Sequence, residues 1–219
     1  MKDILFIDKP KGISSFDVIR ILRKKLKIKK MGHAGTLDPG ATGLLIIGIN
    51  QGTKRMKEFE NLPKTYLMDV LLGKKTETGD LEGKVIEEKE IKDIDIKKVK
   101  KVLKEMEGEI EFFVPLYSAV KIKGVPLYKM ARKGKKVMLP KRKKKIFYLK
   151  LQDFFKQGNF YILRIEMKCE KGTYARSIAE EIGKKLNFPA TIKELKRLKI
   201  GNFSVEKSEK LNEIKGLDN

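Results

Sequence analysis

Cysteine and histidine are almost absent from this chain, which has one of each among 219 residues. The single cysteine, Cys169, can form no internal disulfide, and this scarcity favours a reducing compartment, which we expect to be the cytoplasm. One cysteine and one histidine do not build a common zinc site, and a Ser-His-Asp triad would have to use His33. Metal-dependent hydrolysis and triad-based acyl transfer are therefore disfavoured.

Long apolar runs and nucleotide-binding glycine patterns are also missing. The longest apolar run, residues 43–49, is far shorter than a membrane span, and an aspartate follows almost at once after the N-terminus, so the sequence indicates neither export nor membrane insertion. Neither G-x-x-x-x-G-K-[ST] nor G-x-G-x-x-G occurs, so nucleoside triphosphates and dinucleotides lack their usual cradle. We expect no cofactor and no metal.

Charge is the strongest compositional signal. The chain has 51 Lys and Arg against 29 Asp and Glu, a net charge of +22, which points to a polyanionic partner. Residues 121–150 hold thirteen basic side chains and no acidic one, and residues 20–30 hold seven. A lysine-rich surface without a partner would explain the mixed charges of residues 87–107, but it does not explain these one-sign patches. Two concentrated patches suit a folded RNA better than a flat membrane.

The hydrophobic pattern predicts a mixture of strands and helices. The first third reads as a strand at 4–7, a helix capped by Ser14-Ser15 and running to about Leu26, and a loop at 32–43 with four glycines that leads into a buried strand, 44–49.

The remaining elements follow in irregular order. Residues 65–72 are a predicted strand and 75–83 a polar loop. Asp95 is the predicted N-cap of a helix whose apolar face holds Ile96, Val99, Val102, Leu103 and Met106. Further on, we predict a hairpin of strands 146–155 and 160–169 and a helix at 173–186. Because no regular βαβ alternation is present, we predict the α+β class. No repeat or linker is evident, so we expect one domain over residues 1–219.

Asp38 is a candidate catalytic carboxylate, because it lies in the glycine-rich loop at the edge of the buried strand. Asp-Pro is also a common turn initiator, so ordinary turn chemistry is the competing interpretation of Asp38-Pro39. The residues around it leave both interpretations open.

Motifs over most of the chain resemble those of the TruB family of tRNA pseudouridine synthases. They occur in this order: LFIDKPKGISS (5–15), GHAGTLDPGATGLL (32–45), KTY (64–66), LGKKTETGDLEG (72–83), VPLYSAVKIKG (114–124) with LYKMARKG (127–134), CEKGTYARSI (169–178) and LKRLKIG (195–201). The resemblance implies the pseudouridine synthase fold, a mixed, mostly antiparallel central sheet flanked by helices, with a basic insertion at about 121–150 that grips RNA.

The implied reaction breaks the N-glycosidic bond of a uridine in the tRNA T-loop, at position 55, rotates the base and rejoins it through carbon, with no cofactor. The resemblance assigns the essential carboxylate to Asp38, as a nucleophile at ribose C1′ or a base at C2′. It assigns the cation that keeps this carboxylate ionised to Arg176. We further expect Asp80 to orient Arg176.

The resemblance also implies residues that bind the substrate. Tyr66 is expected against the target base, Tyr174 and Leu195 line the pocket, and His33 fills the gap left when the uridine leaves the base stack. Each would otherwise be an ordinary packing or surface residue. The expected partner is the T-arm of tRNA. We expect the protein to bind it as a monomer and without a guide RNA, and we expect no association with a membrane.

We expect the chain to depart from many bacterial members of the family in having no C-terminal PUA domain after the LKRLKIG region. We expect the basic residues Lys141, Arg142, Lys143, Lys144 and Lys145 to compensate in holding tRNA. Two alternatives remain open. A guide-RNA-dependent relative shares the GH-x-G-x-LDP core but relies on its PUA domain, and a non-catalytic RNA-binding module would need only the basic patches.

Overall fold

The computed structural model describes residues 3–135 and 137–214. Fourteen strands lie in the described part of the chain: β1 Ile4–Lys9, β2 Met31–His33, β3 Thr42–Ile49, β4 Lys64–Leu72, β5 Lys74–Thr76, β6 Val85–Glu88, β7 Gly108–Phe113, β8 Lys121–Ile122, β9 Val125–Pro126, β10 Lys141–Gln157, β11 Phe160–Cys169, β12 Ala190–Ile200, β13 Phe203–Ser204 and β14 Glu209–Lys210. The α-helices of this part are α1 Ser15–Leu26, α2 Met56–Asn61, α3 Ile96–Glu105, α4 Leu127–Arg132 and α5 Ala175–Leu186, and 3₁₀ turns cover Asn50–Arg55 and Val205–Lys207.

The chain divides into two compact units, Met1–Leu67 with Glu194–Asn219, and Met68–Lys193. In the first unit β3 pairs antiparallel with β1 and β2 and parallel with β12, while β14 pairs parallel with β1. Every residue of β3 after Thr42 is buried, and its side chains alternate between two apolar clusters. The prediction of a buried strand from its unbroken apolar run is therefore confirmed.

Helix α1 covers one face of this strand. Its buried residues Val18, Ile19, Leu22 and Leu26 join Leu45, Ile47 and Ile49 of β3 in one cluster. Ser14 is the N-cap and forms a capping box with Asp17, which satisfies backbone N–H groups of the first turn. The helix ends where Lys27 adopts a left-handed conformation with φ of 51°. The predicted cap and end of α1 are both confirmed.

The second unit is built on antiparallel pairs, in which β10 lies between β7 and β11. Strands β10 and β11 meet at Gln157 and Phe160, so the predicted hairpin is confirmed. Helices α3 and α5 bury apolar residues in this unit, among them Val99, Leu103, Ile178 and Ile182. Most pairings in both units are antiparallel, and helices accompany them, which confirms the α+β class with a large, mostly antiparallel sheet.

Several predicted boundaries were wrong. The first half of the basic run contains β8, β9 and α4 in its described residues, and β10 begins at Lys141 rather than 146, since pairing with β7 extends it. Ile96 is 40% exposed at the first position of α3 and does not join the buried face of that helix.

Two predicted loops also contain strand residues. The loop predicted at 32–43 begins inside β2, and the loop predicted at 75–83 begins inside β5, which pairs with β6. Within the described ranges, no helix is both long and apolar enough to cross a membrane.

Candidate active site

The loop that carries Asp38 is held by backbone hydrogen bonds on both sides of that residue. Before it, the Leu37 N–H donates to Ser15 Oγ at 2.8 Å, and the Ser15 hydroxyl donates to the Leu37 carbonyl at 3.1 Å. After it, the Pro39 carbonyl accepts from the Gly12 N–H at 2.9 Å and from Lys9 Nζ at 3.3 Å. The first turn of α1, the last residue of β1 and the turn that follows it thus fix the chain on either side of Asp38.

The turn at Asp38 is also closed on itself. The Ala41 N–H donates to the Asp38 carbonyl at 3.0 Å, which makes a four-residue turn over Pro39 and Gly40. The Asp38 side chain is half-buried. Its carboxylate therefore lies on a fixed turn at the start of β3, a placement that suits a group which must meet a substrate atom at a set position.

Arg197, in β12, braces the same loop from another direction. It is almost fully buried, and its guanidinium donates to three carbonyl oxygens: from Nε to Leu44 at 2.8 Å, from one terminal nitrogen to Gly35 at 3.1 Å and from the other to Thr36 at 3.5 Å. The planar fork, with donors on three nitrogens, thus reaches carbonyls on both sides of the Asp38 turn at once.

Gly43 allows this approach of β12 to β3. Its φ is 99°, and a Cβ placed on it would lie 2.3 Å from the backbone oxygen of Arg197. Any side chain at this position would therefore push the two parallel strands apart. The last glycine of the glycine-rich loop thus serves the packing that brings Arg197 against the loop.

Arg176 lies in the second unit, at the second position of α5, and only 6% of it is exposed. One terminal nitrogen donates to the Thr78 carbonyl at 2.8 Å and the other to the Tyr117 carbonyl at 3.0 Å. Its Nε lies 4.0 Å from Oδ2 of Asp80, within ion-pair range. The guanidinium is therefore held by two segments of the chain, the turn of Thr78 and Asp80 and the stretch that contains Tyr117.

Asp80 belongs to a turn that is itself tightly bonded. Its Oδ1 accepts from Thr78 Oγ1 at 2.5 Å and from the Glu82 N–H at 3.1 Å. Gly79 has φ of 78°, and a Cβ there would come within 3.2 Å of Cβ of Arg176, so the turn needs glycine where the arginine packs. Burial raises the pKa of nearby Glu180 above its ordinary value, although Lys75 lies 3.7 Å from it.

His33 is the last residue of β2 and pairs with Ile47 of β3. The prediction that it lies in the loop at 32–43 was therefore wrong, because the strand pairing fixes its backbone. Its Nδ1 is buried and has no hydrogen-bond partner in the described part of the chain. Burial, and then the positive charge of Arg197, hold the pKa of the imidazole below its ordinary value of 6.5. The ring is consequently neutral at neutral pH and can stack flat against an apolar or aromatic surface.

The comparisons with known proteins agree on one family. The family model for the TruB family pseudouridylate synthase (N terminal domain) matches residues 23–175. The chain is 45% identical over 222 residues to the tRNA pseudouridine synthase B of Aquifex aeolicus, a match that covers 100% of this chain and 75% of that protein. It is 43% identical over 206 residues to the enzyme of the same name from Carboxydothermus hydrogenoformans, covering 94% and 72%. The chain belongs to the TruB family of pseudouridylate synthases.

A solved structure of a Cbf5-Nop10-Gar1 complex contains a chain with the same fold. The TM-score is 0.72 with 28% sequence identity, and the match covers 95% of this chain but 52% of that one. The chain thus spans about half the length of this solved relative. Membership of the TruB family, which the sequence motifs predicted, is confirmed, and so is the pseudouridine synthase fold.

The seven residues assigned from TruB family motifs fall in both units. The first unit holds His33, Asp38, Tyr66 in β4 and Leu195 in β12, and the second holds Asp80, Tyr174 and Arg176. Within a unit, the structure brings Asp80 to Arg176, and the Thr42 hydroxyl donates to the Leu195 carbonyl at 3.5 Å. Tyr66, Tyr174 and Leu195 are all half-buried. Tyr174 is also the N-cap residue of α5, directly before Ala175 and Arg176.

Sequence reasoning missed three residues that hold the Asp38 loop: Lys9, Ser15 and Arg197. Each lies inside a TruB family motif, but each contact joins positions that are distant in sequence, as Ser15 and Leu37 are by 22 residues. Arg197 gave one usable signal. It is among only 8 arginines in a chain with 51 basic residues, and an arginine kept in such a lysine-rich chain indicates a fork-shaped contact.

Proposed function

We propose that this protein isomerises a uridine in the T-loop of tRNA, at the position conventionally numbered 55, to pseudouridine, with Asp38 as the essential carboxylate. The observation that carries the proposal is the Asp38 turn, since backbone groups on both sides of it are bonded to α1, to the last residue of β1 and to Arg197. An ordinary surface turn does not require support from a buried arginine and a buried serine. A carboxylate that must attack, or take a proton from, one particular atom does require such fixed geometry.

Asp38 has two possible roles in this reaction. As a nucleophile it bonds to ribose C1′ while the N-glycosidic bond breaks, as in a retaining glycosidase. As a base it takes the proton from C2′. In the nucleophile version the Asp38–C1′ bond breaks as C5 of the rotated uracil bonds to C1′, and in the base version Asp38 returns the proton to C2′. In both versions C5 then loses its hydrogen as a proton and N1 gains one, so no external energy or cofactor enters the balance.

We propose that Arg176 supplies the positive charge of the catalytic site, with Asp80 orienting it. The support is its burial and the fixed direction of its guanidinium between Thr78, Tyr117 and Asp80. A buried guanidinium held by two backbone carbonyls stays in one orientation, and a fixed charge needs no reorganisation during the reaction.

The remaining residues are proposed to bind the flipped uridine and the RNA around it. Tyr66 is proposed to stack on the target base, with Tyr174 and Leu195 forming the pocket wall. His33 is proposed to fill the gap in the T-loop, a role that suits a half-buried, neutral ring. The segment 121–150, with its thirteen basic side chains, is proposed to contact tRNA phosphates.

The direct test is pseudouridine mapping on an unmodified tRNA transcript incubated with the protein alone. We expect one new pseudouridine, in the T-loop, without any added guide RNA and with the protein as a monomer. A requirement for a guide RNA would favour the guide-RNA-dependent alternative instead. Modification at a site outside the T-arm would contradict the proposed substrate.

A further inference from the structure

Two neighbouring serines at the start of α1 have different partners. Ser14 is the N-cap: its Oγ accepts from the Asp17 N–H at 3.1 Å, and the Asp17 carboxylate accepts from the Ser14 N–H at 2.9 Å. Ser14 therefore already supplies the capping that a helix start requires. Ser15 is the first residue of the helix proper, and its hydroxyl contributes nothing to the capping box.

The hydroxyl of Ser15 is bonded to Leu37, the residue directly before Asp38. Only 1% of Ser15 is exposed, and Leu37 is also buried. One oxygen atom donates to the Leu37 carbonyl at 3.1 Å and accepts from the Leu37 N–H at 2.8 Å. A buried hydroxyl costs free energy unless it is hydrogen-bonded, and here both of its functions are used on the same residue.

The geometry of a peptide bond extends this contact to Asp38. The Leu37 carbonyl shares its planar peptide group with the Asp38 nitrogen, so fixing that oxygen fixes the direction in which the chain enters Asp38. The bond to the Leu37 N–H fixes the peptide plane on the other side of Leu37. Lys9 and Arg197 donate to carbonyl oxygens of this loop, whereas Ser15 holds both the N–H and the carbonyl of one residue.

We propose that Ser15 is a positioning residue for the catalytic carboxylate: its hydroxyl holds the Leu37–Asp38 peptide in the orientation from which Asp38 reaches the ribose. The inference rests on the proposed function of Asp38. A displacement of about 1 Å at a reacting group costs roughly a hundredfold in rate. Loss of the hydroxyl therefore lowers kcat and leaves binding of tRNA, which depends on other surfaces, largely unchanged.

The test compares Ser15→Ala with Ser14→Ala in the full-length protein. Ser14→Ala removes the cap of the same helix but no bond to the Asp38 loop, so it is a matched control for the stability of α1. On an unmodified tRNA transcript we expect Ser15→Ala to lower kcat roughly tenfold or more, with KM within about twofold of the wild type. Ser14→Ala should lower Tm while kcat stays within about twofold.

A third variant separates the hydrogen bond from packing. Ser15→Cys keeps nearly the same shape but offers only a weak donor and acceptor. We expect it to fold like the wild type and to have a lowered kcat. A kcat within about twofold of the wild type for both Ser15→Ala and Ser15→Cys, or an equal fall in kcat for Ser14→Ala, would overturn the proposal.

Hydrogen exchange at the Leu37 amide tests the positioning step without relying on activity. Ser15→Ala should accelerate this exchange, because the N–H loses its acceptor, whereas Ser14→Ala should leave it unchanged. Unchanged exchange in Ser15→Ala rejects the inference. Absence of pseudouridine with the wild-type protein would instead reject the proposed function, so the two failures are distinguishable.

Discussion

At the residue scale, His33 offers an unusually clean observable, because it is the only histidine in the chain. Burial and the charge of Arg197 lower its pKa. The folded state therefore favours the neutral ring more than the unfolded state does. This preference stabilises the fold fully above about pH 6.5 and is lost as the pH falls below that value.

We predict that His33 titrates with a pKa below 6.5 in the folded protein. The measurement is an NMR titration of the imidazole protons, in which a single histidine gives one set of signals. Arg197→Gln should raise this pKa, since it removes the positive charge that disfavours the imidazolium. A titration at or above the ordinary value would contradict the described burial of the ring.

Arg176 and Asp80 give a second prediction at this scale. Arg176→Lys replaces a fork that reaches two carbonyls and a carboxylate with a single ammonium, so we expect kcat to fall by roughly ten- to a hundredfold. Asp80→Asn should cause a smaller fall, because Arg176 keeps its bonds to Thr78 and Tyr117. Steady-state kinetics on tRNA measures both, and full activity of Arg176→Lys would exclude a bidentate role. Arg23→Lys, a change on α1, is the control.

The limits of sequence reasoning are clearest for these residues. Asp38 and Arg176 were found because their motifs resemble a family, whereas composition and spacing alone left Asp38 as a common turn residue. Ser15 and Arg197 were missed, because a hydroxyl at a helix start and an arginine in a strand have many ordinary uses. Only the folded chain brings Ser15 to Leu37 and Arg197 to Gly35.

At the element scale, β1, α1, β3 and the β10–β11 hairpin were predictable, since local patterns specify them: a capping box, an apolar run and a short turn. Strand β10 was predictable only in part. Its sequence indicated an all-basic patch, but pairing with β7 places Glu111 2.7 Å from Lys141, and it pairs Glu109 with Lys143. Glu170 lies 3.3 Å from Lys144. A run of basic residues does not reveal that glutamates some thirty residues away form ion pairs with its lysines.

These cross-strand pairs lead to a prediction about RNA binding. Glu109→Gln with Glu111→Gln would free Lys141 and Lys143 for phosphates, so we expect tighter tRNA binding, about two- to tenfold at moderate salt. Lys141→Gln with Lys143→Gln should weaken binding and reduce the slope of log K against log salt by about 1 to 2. The measurement is a filter-binding or anisotropy titration at several salt concentrations. Unchanged affinity in both double variants would show that this face of β10 does not contact tRNA.

At the scale of the whole molecule, the charge of +22 and the family agree on an RNA substrate. The fold class was predictable because hydrophobic patterns typical of strands and of helices are interspersed irregularly along the chain. The division into two units was not, since it falls within β4 and β12 and no linker or change of composition marks it. The residues assigned to the site come from segments that are far apart in the sequence. Only the ordered family motifs linked these segments to one function.

The central claim is that Asp38 performs the chemistry, and Asp38→Asn tests it most directly. The amide keeps the size of the side chain and its place in the turn but can neither attack C1′ nor take a proton from C2′. Pseudouridine formation and tRNA affinity are measured on the same unmodified transcript. We predict that Asp38→Asn forms no detectable pseudouridine and binds tRNA within about threefold of the wild type. Pseudouridine formation at a rate near that of the wild type would contradict the account.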